Sequence, residues 1–206
     1  MSARGKFITV EGIDGAGKSS HLDFLCGRAT ARGERVVRTR EPGGTPAAEK
    51  MRELVLHHAM EPLAEALVMF AARSDHVASI IEPELAAGTW VVCDRFSDAT
   101  YAYQCGGRGL PGAAIETLER LVHPRLQPDA TFLFDLDPAE AYARQRAASR
   151  EPDRFEREKA EFFVRVREAY LERARRDAGR IHVVDASGSL EQVRERLAQA
   201  FARAFP

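Results

Sequence analysis

The segment GIDGAGKS, residues 12 to 19, constrains this chain more than any other. It sets Gly12, Gly17, Lys18 and Ser19 in the spacing GxxxxGK[ST], after the apolar run FITV and before a helical pattern that opens at Ser19. That bend, between a predicted strand and a predicted helix, is the context the motif requires. A backbone turns its N–H groups inward on one point only where it bends tightly, and glycine permits the dihedrals that such a bend needs. The helix that follows adds unpaired N–H groups and the positive end of its dipole. Residues Gly12, Ile13, Asp14, Gly15, Ala16, Gly17, Lys18 and Ser19 therefore read as an anion cradle. Lys18 would reach the outer phosphates of a nucleoside triphosphate, and the Ser19 hydroxyl would ligate Mg²⁺. ATP is the expected guest.

The rest of the chain repeats the strand-then-helix order that the bend begins. KFITVE, RVVRT, WVVCD, TFLFDL and IHVVD are the strand candidates. Helical spacing or strong helix formers fill 19–32, 45–58, 62–87, 111–122, 139–148, 156–177 and 190–204. Such alternation predicts parallel strands joined by helical crossovers. FITV, WVVC and TFLF are apolar throughout rather than alternating, as strands covered on both faces must be. The expected class is α/β with a doubly wound sheet. With 206 residues and no repeat or linker, one domain is expected.

Composition excludes several functions. Thirty basic residues against 31 acidic ones give no global positive field, so a dedicated nucleic-acid binder is not expected. Between Glu140 and Arg180 basic residues exceed acidic ones, but they are interleaved around an apolar stripe at Phe162, Phe163, Val166, Tyr170 and Ala174, the pattern of a solvated helix. Cys26, Cys93 and Cys105 are odd in number and far apart, which fits a reducing cytoplasm and neither a disulfide framework nor a zinc site. No apolar run has the length of a membrane span. The six histidines show no ligand spacing and read as core or surface residues.

The cradle leaves the phosphoryl acceptor open: water, a protein or a small molecule. Two further junctions narrow it. TREPGGTP follows the second strand and DRFSDATYAYQ the third, and strand-to-helix turns of this kind gather at one edge of a parallel sheet. Asp94 and Arg95 emerge there beside the nucleotide, although a pair that merely ties the strand end is an alternative. A guanine-reading NKxD motif, expected of a GTP-dependent switch, is absent.

EGIDGAGKSS, TREPGGTP, FAARSDH, DRFSDATYAYQ, GGRGL and DRFEREKAEFFVRVREAYL, in this order, resemble the thymidylate kinase family over nearly the whole chain. The resemblance implies a P-loop three-layer sandwich with a five-stranded parallel sheet, ATP-dependent phosphorylation of dTMP, and a homodimer. The alternative acceptor is another nucleoside monophosphate or a small metabolite. By the resemblance Asp14 bonds the acceptor 3′-hydroxyl, Glu41 lies near the acceptor phosphate and metal, Arg52 and Arg95 hold that phosphate, and Asp94 assists Mg²⁺. Arg73, Thr100 and Gln104 read the base, and Tyr103 lies against C2′ of the sugar. The family places an aromatic four residues before the arginine; here that position is Met69, with Phe70 three before, so Phe70 or Met69 covers the base. Phe70 is the expected stacking residue. The resemblance also implies a lid at about 144–156. Because Gly15 follows Asp14 and the lid carries Arg144, Arg146, Arg150 and Arg154, the pattern is similar to the bacterial lid-arginine type, with Arg146 and Arg150 the expected catalytic arginines.

Overall fold

All five apolar runs form strands, at bounds within a residue of those expected: β1 (Phe7–Glu11), β2 (Val36–Arg40), β3 (Trp90–Asp94), β4 (Ala130–Asp135) and β5 (Ile181–Asp185). The structure, a computed structural model, describes residues 4–147 and 153–206. The strands make one parallel sheet in the order β2-β3-β1-β4-β5. Val10 lies beside Asp94 of β3 and Phe132 of β4, so β1 and β3 end within a residue of each other while β4 runs on past them to Asp135. β1 is wholly buried, and only the last residues of β3 and β4 reach partial exposure, whereas β2 and β5 at the edges are half open. Double coverage of the centre is what the unbroken apolar runs require.

Helices α1 (Ser19–Thr30), α2 (Pro46–His57), α3 (Pro62–His76), α4 (Glu82–Ala86), α5 (Ser97–Thr100), α6 (Gly112–Val122), α7 (Pro138–Ala147), α8 (Ala160–Arg176) and α9 (Leu190–Ala204) surround the sheet. The core lies on both of its faces. Leu22, Leu25, Phe132, Phe134, Val166, Leu197 and Phe201 fill one layer, and Phe7, Val77, Ile81, Leu85, Val91 and Phe96 another. Each fully buried Leu or Phe contributes roughly 1.5–3 kcal/mol. Among the described residues, no helix is long and apolar enough to cross a membrane.

Three local departures from the sequence expectation have physical causes. The helix expected over 62–87 widens to a π-type turn at Val77–Ile81 between α3 and α4. Pro83 has no N–H to return to the carbonyl four residues back, and the backbone adjusts just before it. The segment expected over 156–177 becomes helical only at Ala160, because the Asp153 carboxylate accepts the N–H groups of Phe155 and Glu156 and holds a turn there. Finally, DATYAYQCGG, which lies outside the expected strands and helices, forms α5 and a second wide turn, Tyr101–Gly107. Gly106 and Gly107 permit it: a Cβ at either would run into Ala169 or Phe162 of α8.

Candidate active site

β1 ends at the point where chain connections part, with β3 on one side and β4 on the other, the place where parallel sheets open a crevice. Gly12, the first residue beyond it, has φ of 137° and lies so near β4 that a Cβ would meet the Phe134 carbonyl. Gly15, with φ of 83°, is pressed against the Ala141 carbonyl of α7. Neither place admits a larger residue without movement. At the start of α1 no side chain caps the helix and the first turn carries no acid, which leaves its N–H groups and dipole for an anion. Lys18, 7% exposed, folds its ammonium onto the carbonyls of Gly12 and Ile13 at 3.0 and 2.9 Å. Burial, with help from the Arg95 charge, moves its pKa down.

At the end of β3, Arg95 takes φ of 73°, a conformation that costs an L-residue roughly 1–2 kcal/mol. Its neighbours hold it there. The Arg95 N–H reaches the Val10 carbonyl at 2.9 Å, and the Phe96 N–H donates to the buried Glu11 carboxylate at 2.7 Å. Tyr170 donates to the other Glu11 oxygen at 2.8 Å and accepts from Arg95 at 3.0 Å. Burial, and then the Asp98 charge, push the Glu11 carboxyl up to about 8 despite these bonds. The left-handed turn swings the Arg95 guanidinium across to Asp14, with Nη2 to Oδ1 at 2.6 Å. Tyr103 donates to Asp14 Oδ2 at 2.8 Å. Burial raises the Asp14 carboxyl, but the charges of Arg95 and Lys18 and these hydrogen bonds outweigh it, and its pKa falls to about 2. Asp94, the residue before Arg95, has a buried Oδ1 with no hydrogen-bond partner among the described residues. Asp94 and Ser19 line one cavity, and an orphaned carboxylate oxygen together with a hydroxyl is a donor set that suits Mg²⁺.

The acceptor side is built on α3. Arg73, 3% exposed, gives Nε to Glu41 at 2.6 Å and Nη2 to Thr100 at 3.1 Å, with its guanidinium over the rings of Phe70 and Phe96. Its buried Nη1 has no partner among the described residues. A buried guanidinium with one unspent donor is a recognition element for a ligand acceptor atom. Glu41 gives its second oxygen to His76 at 3.0 Å. Burial pushes the Glu41 carboxyl up, but the Arg73 charge and the His76 bond hold it below the ordinary range.

Two cavities meet here. One, of about 1040 Å³, runs from Gly15 to Ser19 past Asp94 and Arg144. The other, of about 80 Å³, is walled by Met69, Arg73, Phe96, Thr100, Tyr103 and Gln104. They share Asp14, Glu41, Arg52, Arg95 and Asp153. The structure thus gathers Asp14, Gly15, Ala16, Gly17, Lys18, Ser19, Glu41, Arg52, Arg73, Asp94, Arg95, Thr100, Tyr103 and Gln104 along one connected space, while Gly12 and Ile13 line neither cavity and act through the carbonyls that hold Lys18. Arg52 also donates to the Pro42 carbonyl at 3.0 Å.

Two residues stand elsewhere than expected. Phe70 lines neither cavity: it is 2% exposed and stacks on His123 at 6.2 Å, in the layer between α3 and α6. Met69 takes the cavity wall, because one helical step of about 100° turns Phe70 away from it. Arg146 is exposed over Tyr142, while Arg144, two residues earlier and on the opposite side of α7, lines the larger cavity. Glu41 lies where expected, in the wall shared by both cavities, with its oxygens bonded to Arg73 and His76. Arg150 lies outside the described residues. The sequence reading missed Glu11, His76, Phe155 and Tyr170. Glu11, a lone acid ending an otherwise apolar strand, carried a signal; the others looked like ordinary helix or loop residues.

Fold and site together define a P-loop α/β protein that binds a nucleotide and sets an anionic acceptor next to it. A model of the thymidylate kinase family matches residues 10–197. The chain is 55% identical to a thymidylate kinase of Methylobacillus flagellatus over 194 residues, covering 94% of this chain and 95% of that one. With a thymidylate kinase of Paraburkholderia xenovorans the identity is 53% over 204 residues, 97% and 98% of the two chains. A crystal structure of thymidylate kinase from Ehrlichia chaffeensis superposes with a TM-score of 0.79 at 33% identity, covering 97% of this chain and 99% of that one. The chain belongs to the thymidylate kinase family.

Proposed function

We propose that this chain is a dTMP kinase, moving the γ-phosphoryl group of ATP onto the 5′-phosphate of dTMP to give ADP and dTDP, a step in dTTP supply. One observation carries the reading: the phosphate-loop cavity and the Arg73 cavity share Asp14, Glu41, Arg52 and Arg95, so donor and acceptor phosphates would meet at guanidinium groups. Catalysis of this kind is chiefly positioning and charge neutralisation.

In this reading the loop N–H groups and Lys18 hold the β and γ phosphates of ATP. Arg95 and Arg52 take the acceptor phosphate, whose oxygens match the planar fork of a guanidinium. Ser19 and Asp94 would hold Mg²⁺, which when bound neutralises charge between the phosphates. Asp14, ionised throughout the neutral range, accepts the sugar 3′-hydroxyl with its remaining lone pairs. The Arg73 Nη1 donates to a thymine carbonyl, Thr100 and Gln104 complete the polar rim, and Met69 and Phe96 cover the ring. Tyr103 stands where a 2′-hydroxyl would come. A lid at about 144–156 within a single kinase domain closes over the ATP and brings an arginine to the transferring group. Arg144, already facing the cavity, is the first of the lid arginines to test. The protein acts in the cytoplasm as a homodimer, for which exposed Leu63 and Leu67 of α3 and Leu121 of α6 supply apolar surface.

Purified protein with Mg·ATP should form ADP much faster with dTMP than with UMP, AMP or no acceptor. Equal turnover across that panel would overturn the proposal. Light scattering that gives the mass of one chain would remove the homodimer.

A further inference from the structure

Gln104 owes its orientation to a residue outside the cavity. Its Nε2 donates to Glu65 Oε1 at 2.7 Å, and both side chains are buried, at 1% and 0% exposure. Glu65 lies on α3, two turns before Arg73 and behind the cavity wall. Its other oxygen, Oε2, accepts from Arg154 Nη2, and Arg108 Nε lies 3.6 Å from Oε1. Arg154 is itself tied to the Val55 carbonyl at 3.0 Å and stacks over Phe155, while Arg108 donates to Glu158 at 2.5 Å. The carboxylate is therefore fixed from several sides and is not free to turn away.

We infer that Glu65 is a specificity-determining residue: it locks the sense of the Gln104 amide, and so selects bases that carry a hydrogen on the ring nitrogen between their polar groups. The inference rests on the reading of Gln104 as a base contact. A primary amide presents an N–H face and a C=O face, and a half-turn exchanges them. A carboxylate only accepts, so Glu65 admits Nε2 alone; the flipped amide would set two oxygens against each other in a site closed to water. The acceptor Oε1 is thereby the atom left for the base. A ring N–H, as in thymine or uracil, meets that acceptor. The ring nitrogen of cytosine offers a lone pair instead and is repelled. Met69 and Phe96 provide no such distinction, because every base has an apolar face.

The test is steady-state kinetics of the whole protein with dTMP, dUMP and dCMP, for wild type and Glu65→Gln. A glutamine at 65 keeps its oxygen on the Arg154 donor and turns its NH₂ to Gln104, which favours the flipped Gln104 amide. The ratio of kcat/KM for dTMP over dCMP is expected to fall by about tenfold or more, the factor carried by one hydrogen bond to a charged group. The ratio for dTMP over dUMP, which differ only by a methyl group, is expected to hold. An unchanged dTMP to dCMP ratio in the folded variant, or both ratios falling together, overturns the role of Glu65. Wild type that does not prefer dTMP to dCMP overturns the base-site reading itself. Should the variant fail to fold, the Gln104 side-chain amide protons in wild type carry the test by NMR: one shifted downfield and protected from exchange supports the lock, and two freely exchanging protons overturn it.

Discussion

Arg73→Ala removes the guanidinium that neutralises Glu41, and the result follows from burial. Both groups are 3% exposed and meet at 2.6 Å. Losing one partner of such a pair costs about 3–5 kcal/mol, because the other charge stays in a site that water does not reach. The contacts to Thr100, Phe70 and Phe96 go as well. Against a total stability of about 5–15 kcal/mol the variant folds with little margin.

The pH dependence separates this cause from a simple cavity. In wild type the Glu41 pKa lies below its ordinary 4.5, so the group adds stability above that value and loses it as the pH falls through the depressed one. Without Arg73, burial acts with less opposition and the folded-state pKa rises above 4.5. Glu41 then adds stability below 4.5 and loses it as the pH climbs towards the raised value. The stability gap between wild type and variant must therefore widen from pH 5 upward, at up to about 1.4 kcal/mol per pH unit for one proton. Urea unfolding followed by circular dichroism at pH 5, 6, 7 and 8 measures it. A gap that is flat or that narrows with rising pH refutes the account, since loss of packing alone has no such slope. Calorimetry should show dTMP affinity falling roughly ten- to hundredfold, the worth of one hydrogen bond from a charged donor.

Two glycines should behave oppositely. Gly15→Ala must adopt a left-handed conformation, costing about 1–2 kcal/mol, and must also push α7 from the loop, so nucleotide affinity and melting temperature should both fall. Gly27→Ala, exposed on α1 with nothing near its Cβ, should stabilise the protein by up to about 1 kcal/mol in the same denaturation assay. For Asp94→Asn, loss of the carboxylate charge should lower metal affinity or turnover by about 10- to 100-fold; an unchanged magnesium titration of the rate would remove Asp94 from the metal site.

Much of this architecture was legible residue by residue. The five strands and the phosphate loop follow from short-range rules: apolar runs of strand length, glycines where φ is positive, a helix former directly after. The base-reading wall was harder. Phe70 and Met69 both suit a helix with an apolar face, and only the rotation of α3 against α6 turned Phe70 inward and Met69 towards the cavity. Arg144 and Arg146 are alike in composition and differ in which side of α7 lies on the loop.

The amino-acid order alone determined the alternation of strands and helices and the tight glycine bend, because periodicity and backbone sterics are local. Tertiary structure decided the partnerships: Glu11 with the turn at Arg95, Glu41 with Arg73 and His76, Glu65 with Gln104 and Arg154. Those pairs join elements far apart in the chain, and a buried charge finds its partner only when packing has excluded water and brought the two together.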